Sequence, residues 1–398
     1  MMPRTLILLV GLLLGGCLEH HFTDSGVPAI DGGSAMPPPC EPAAELEAVP
    51  TLRHGPLPTT PPRLAIHRAL ADTSIGRYVV AIQQANLTEL PSLSLLVVTP
   101  DGRIERTIPI VDEPGYDLHF DVAVVPDGWM VVGASRWTGH REEGSETWFA
   151  HVRRAGGPVL RVALIREELG AISALTTAAR ADGAVDVYTV RGGELFHQVL
   201  REGELSAPAP LEVSFEPGTS HHRMIATRAG ASTCIATIAF PSGRGWAVRL
   251  SGDAVASAAM FAERGLVTLP VPEPLAGDCA IAYFEPDLRF PTRGEVRFVG
   301  AGAATGWGGT HPLGLALLPG ARRVAVAVPS PLFPDRVEEH VVELDEGVCR
   351  TVSPSLIRPV AAQPLPLGAL VTATLGENTL LFEAGLDGAG VLTAARVR

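Results

Sequence analysis

Asp117, His119 and Asp121 occupy alternate positions in the stretch DLHFD. Alternate side chains of an extended strand share a face, so two carboxylates and an imidazole would project together. Such a set can coordinate a divalent cation or serve as base and acid around a labile bond. The plainer reading is a polar strand entrance, with Asp121 hydrogen-bonded to a neighbouring turn. Downstream, Ser135–Glu146 reads as a long polar loop carrying Arg136, Trp137, Arg141, Glu142 and Glu143. Aromatics beside arginines are enriched at binding hot spots, which makes Trp137 a possible contact; Trp129 and Trp148 read as core. His221 and His222 are adjacent, so on a strand they face opposite ways and are poorly placed to share a metal. Gly300–Pro312 (GAGAATGWGGTHP) has no strand-then-helix context and reads as a connecting loop rather than a phosphate cradle. No Gly-x-Ser-x-Gly elbow, His-Glu-x-x-His helix or calcium loop is present, so no cofactor and no metal are expected.

The polar residues are mounted on Phe120–Ser135, FDVAVVPDGWMVVGAS, which reads as strand, Pro-Asp-Gly turn and strand. Weaker copies recur along the chain. First strands start near Leu64, Phe120, Ile172, Met224, Leu266, Gly314 and Val360, at spacings of 56, 52, 52, 42, 48 and 46 residues. Second and third strands follow in each unit, and fourth strands are fainter. The best copies are apolar at nearly every position. A sheet with one wet face would alternate instead, so these strands are covered on both sides. From Arg63 onward no amphipathic helix of more than two turns stands out. The pattern resembles a β-propeller as an architecture: an all-β chain of seven blades, each of four antiparallel strands. Neither a Trp-Asp repeat nor a kelch double glycine ties it to a named family. Tandem β-sandwich domains are the alternative.

Residues 1–16 carry one early charge, Arg4, and the apolar run Leu6–Leu14. That run is about half of the ~20 residues a spanning helix needs, and the layout is that of a signal peptide. It ends in Leu14-Gly15-Gly16-Cys17, which resembles the lipobox of bacterial lipoproteins. The resemblance implies that the mature chain begins at Cys17, whose sulfur carries diacylglycerol and attaches the protein to a membrane of the cell envelope, the outer membrane or cell surface. Residues 17–62 are proline-rich and read as a tether; residues 63–398 are the propeller domain. His20-His21 lies in the tether, where nothing holds further ligands.

In an exported chain the four remaining cysteines, Cys40, Cys234, Cys279 and Cys349, read as possible disulfides with three connectivities. Cys234 and Cys279 sit at similar places in neighbouring units, which favours Cys234–Cys279 and leaves Cys40 with Cys349. Net charge is −12 and every basic residue is Arg; an acidic chain is a poor match for nucleic acid, whose binding needs a basic surface. Two functions follow. The first is a binding or scaffolding module for a protein or glycan partner. The second is a hydrolase with a metal-assisted site at the channel mouth, which requires acids and imidazoles converging from several units. Only the second unit offers them clearly, so an enzyme is the weaker expectation.

Overall fold

The computed structural model describes residues 39–40, 46–49, 52, 63–85, 92–111, 117–139, 142–167, 172–215, 220–240, 242–263, 272–275, 278–286, 293–299, 307–310, 314–318, 323–329, 336–343, 350–351, 356–359, 370–384 and 392–398. The signal segment, Cys17, Cys349 and the strand starts expected at Leu266 and Val360 lie outside these residues. All regular structure among them is β-strand, and no helix there is long and apolar enough to cross a membrane.

The strands form seven sheets of four or five, plus one two-stranded pair. The first sheet runs Arg63–Asp72, Arg77–Ala85, Ser92–Val98, Ile104–Val111, each strand antiparallel to the one before. The second is Asp117–Val125, Gly128–Gly139, Glu142–Arg153, Leu160–Glu167. The same meander repeats from Ile172, Ser220, Glu273 and Gly314. First strands of successive sheets touch one another around an axis: Arg63–Asp72 meets Asp117–Val125, which meets Ile172–Ala179, which meets Ser220–Ala229. Leu370–Leu375, in the last sheet, returns to Arg63–Asp72. The chain is an all-β propeller, not a pair of sandwiches.

Burial explains why these sequences are apolar at every position. In Arg77–Ala85, Val79 and Ala81 join Phe120, Val122, Trp129 and Val131 in the core between the first and second sheets. Their neighbours Val80 and Ile82 face the other way, into the core shared with Val371, Leu380 and Phe382 of the last sheet. Gly128–Gly139 is divided in the same manner: Trp129 and Val131 point back, Val132 and Ala134 point forward. Each sheet thus contributes one face to each of two cores. Gly133 fits here for steric reasons, because a Cβ on it would lie 2.2 Å from the ring of the fully buried Trp148.

Several expectations need correction. The third sheet has five strands, since Glu204–Leu205 and Ala209–Ser214 both pair with Glu194–Arg201. Leu356–Pro359 is the outer strand of the sheet that starts at Gly314, not the opening of a new unit. Leu370–Leu375 is the innermost strand of the last sheet. The strand that sheet then lacks comes from the other end of the chain: Leu46–Ala48, within the stretch read as tether, pairs with Leu392–Val397 in the register Leu46↔Val397. Leu46, Val49 and Leu52 are buried there. Ser135–Glu146 is not a loop; Gly128–Gly139 and Glu142–Arg153 run through it as paired strands, Trp137 opposite Gly144. Trp307–Thr310, at the end of the expected glycine-rich loop, is likewise a strand, paired with Arg293–Val299.

Candidate functional site

Among the described residues no backbone ladder joins one propeller sheet to the next, and side chains stitch the inner strands together. Asp121 is central to that stitching. Its Oδ2 accepts from Arg68 Nη1 (2.5 Å), Thr176 Oγ1 (2.7 Å) and the Thr177 amide (2.8 Å), and its Oδ1 from the Val122 amide (2.8 Å). Arg68 in turn donates to the carbonyls of Thr177 (3.1 Å) and Ala226 (2.5 Å). The Ala226 amide donates to Thr176 Oγ1 at 2.8 Å. One buried ion pair thereby links the inner strands of four successive sheets. Three of these donors crowd Oδ2 and one holds Oδ1, so the buried carboxylate is committed to a guanidinium and to neighbouring strands. Asp121 therefore positions strands, and its partners lie on the inner strands of neighbouring sheets rather than on the neighbouring turn expected from DLHFD.

Toward the end of the ring where the inner strands begin, the axis is lined differently. His67, His119 and Arg223 each keep partial solvent access, whereas Arg68 and Asp121 beneath them are buried. His67 Nε2–H donates to Gln83 Oε1 at 2.9 Å, and its ring lies 4.1 Å from that of Phe120. Burial, with Arg223 and His119 adding positive field, drives the His67 pKa down to about 3, so the ring is neutral. Arg223 Nη2 donates to the carbonyls of Ile66 (3.1 Å) and His67 (3.3 Å). Burial also lowers the Arg223 pKa, partly offset by Asp121; it stays a cation. His67, His119 and Arg223 thus lie on a channel wall: water reaches them, yet protein surrounds them. Of the residues singled out in the sequence, His119 and Asp121 are brought to this axis. Asp117 lies on the same strand and Trp137 on the ribbon beside it, but their side chains fall outside the description. Arg68, Arg223 and His67 carried no sequence signal, because each sits alone in its own strand.

A second polar group lies between the third and fourth sheets. Buried Asp186 accepts from Arg180 Nε (2.7 Å) and His197 Nε2 (2.8 Å), and pairs through its other oxygen with Arg228. Burial opposes ionisation of Asp186, but the bonds from His197 and Arg180 prevail and its pKa falls. Asp186, His197 and Asp253 bring ligand atoms within 4.8 Å of one another. A cation there would have to displace two guanidiniums, so the group reads as a latch between sheets. Asp72 forms a similar latch between the first and second sheets, accepting from Trp129 Nε1 (3.0 Å) and Arg154 Nε (2.7 Å).

Cys234 and Cys279 are disulfide-bonded, Cα–Cα 5.7 Å, joining the second strands of the fourth and fifth sheets as expected. The partner assigned to Cys40, Cys349, lies outside the described residues, but Pro39–Cys40 pairs in parallel with Arg350–Thr351, Cys40 opposite Thr351.

No family model and no curated protein matches the chain. Among solved structures it is similar to Kuenenia stuttgartiensis hydrazine synthase (10% identity, TM-score 0.48, covering 85% of this chain and 97% of that one). It is also similar to the β-propeller domain of the Trilobed protease from Pyrococcus furiosus (9%, 0.40, 82% and 91%). A third is Trypanosoma rangeli sialidase in complex with the inhibitor DANA (9%, 0.41, 84% of this chain), where the chain spans 55% of the other's length. At these identities the likenesses concern the fold alone.

Proposed function

We propose that this is an exported, lipid-anchored propeller of the bacterial cell envelope that binds a protein or glycan partner. The observation that carries the reading is the ribbon of the second sheet. The inner strand's register ends at Asp117↔Arg136 and the outer strand's at Glu167↔Ser145. The paired segments beyond, Trp137–Gly139 and Glu142–Gly144, have no flanking strand among the described residues. A two-stranded ribbon extending past its sheet offers backbone donors and acceptors on both edges, and Trp137 stands at its base. It leaves the sheet at the same end as the channel wall. The hydrolase alternative is weakened because Asp121, one of its required acids, is buried and engaged by Arg68, Thr176 and backbone amides.

Anchoring follows from the lipobox ending in Cys17. Cys17→Ser should release the protein from the membrane fraction, and retention there would overturn the anchored reading. For the ribbon, the purified mature chain is sedimented with isolated peptidoglycan and with envelope membranes, beside Trp137→Ala. Loss of sedimentation in the variant, with its thermal unfolding unchanged, is expected. Equal binding by both proteins would remove the ribbon from the proposal.

A further inference from the structure

We propose that the channel wall formed by Arg223, His67 and His119 binds a small oxyanion, a carboxylate or a phosphate-type group. The argument begins with charge. Two guanidiniums, Arg68 and Arg223, approach the axis, and among the side chains described there one carboxylate, Asp121, opposes them. That carboxylate is bonded to Arg68 and three further donors, and the bonds described for Arg223 end on the neutral carbonyls of Ile66 and His67. Among the described side chains one positive charge is left over, on Arg223, which keeps partial solvent access. The favoured way to satisfy a half-desolvated guanidinium is an anion that accepts its N–H groups in pairs.

Size and surroundings narrow the ligand. The chain as a whole is strongly acidic, −12, so extended polyanions are repelled from its surface. A small anion that enters the channel meets low-dielectric walls that strengthen its attraction to Arg223. The buried Arg68–Asp121 pair beneath offers it no further cation, which places the ligand at the wall rather than deeper along the axis. Neutral His67 commits its one N–H, at Nε2, to Gln83, so it lines the site while Arg223 supplies the donors.

The test uses the mature wild-type chain and three probes, inorganic phosphate, sulfate and acetate, titrated calorimetrically at constant ionic strength in chloride. Saturable binding of at least one probe is expected; none would overturn the proposal. Arg223→Gln should weaken that binding at least tenfold and Arg223→Lys less. Arg77→Gln, at a surface arginine paired with Glu105 at 2.8 Å, should leave it unchanged. Equal loss in Arg77→Gln, or none in Arg223→Gln, would also overturn it. Wild-type crystals soaked in selenate locate the anion without relying on a variant that folds. An anomalous peak beside Arg223 supports the assignment, and a peak only elsewhere refutes it.

Discussion

His67 makes the stability of this propeller depend on acid, and the size of the effect follows from its surroundings. In the folded chain the ring is enclosed, faces Arg223 and His119, and has a pKa of about 3; its ordinary value is 6.5. Because the folded value is depressed, the unfolded chain takes up a proton first as pH falls. The stabilisation is complete above pH 6.5 and is lost progressively down to about pH 3. At pH 5 the imidazole of the unfolded chain is almost fully protonated and His67 in the fold is not. Each tenfold difference in proton affinity is worth about 1.4 kcal/mol, so this one residue removes about 2 kcal/mol between pH 7.5 and pH 5. The assay is urea unfolding at the two pH values on wild type and His67→Gln, with the disulfide intact. The variant loses the ring contact with Phe120 at both pH values, a constant offset, but its further loss on acidification should be smaller than that of wild type by about 2 kcal/mol. Every other histidine is common to both proteins and cancels in the comparison. If both proteins lose the same stability between pH 7.5 and 5, the enclosure of His67 argued above is wrong.

Three other perturbations test the framework. Asp121→Asn leaves Arg68 buried without its counter-charge and should cost about 3–5 kcal/mol in the urea midpoint, the range for broken buried pairs; a cost under 1 kcal/mol would show that the pair does not tie the inner strands. Cys279→Ser opens a link spanning 45 residues, for which chain entropy gives about 4 kcal/mol, read as a lower denaturation midpoint and one free thiol gained at Cys234. Deleting residues 17–52 removes Leu46–Ala48 with Val49 and Leu52 and exposes the edge of Leu392–Val397. Concentration-dependent association in light scattering is expected, whereas a monomer with unchanged stability would contradict the closure described here.

The sheets were legible because strands near their inner edges are buried on both faces. That constraint writes itself into Val79–Ile82 and Trp129–Ala134 as unbroken apolar runs, and repetition does the rest. The Cys234–Cys279 link was legible for the same reason, since equivalent positions in neighbouring units face each other. Leu46–Ala48 was not. Three residues carry no periodicity, and their partner lies at the opposite end of the chain, so nothing local marks them as strand. The ribbon through Ser135–Glu146 was missed because a two-stranded extension has no sheet beside it to demand apolar side chains. At the axis, His119 and Asp121 were visible as a pair because they share one strand. Arg68, His67 and Arg223 were not, because the ring, and not the sequence, makes them neighbours. The role of Asp121 turned on partners, Arg68 and Thr176, that lie 53 and 55 residues away.

The pairing of Leu46 with Val397 also sets an order of events. A chain synthesised amino-terminus first produces Leu46–Ala48 early, yet the strand it pairs with, Leu392–Val397, is made long afterwards. The intervening sheets can form hairpin by hairpin from neighbouring segments, but the final sheet must bring together residues 351 positions apart, and such non-local closure is slow. Throughout that interval the earliest apolar residues and the edge of the newest strand are both open to other chains. The hazard of this protein is therefore greatest in the interval before Leu392–Val397 has docked on Leu46–Ala48.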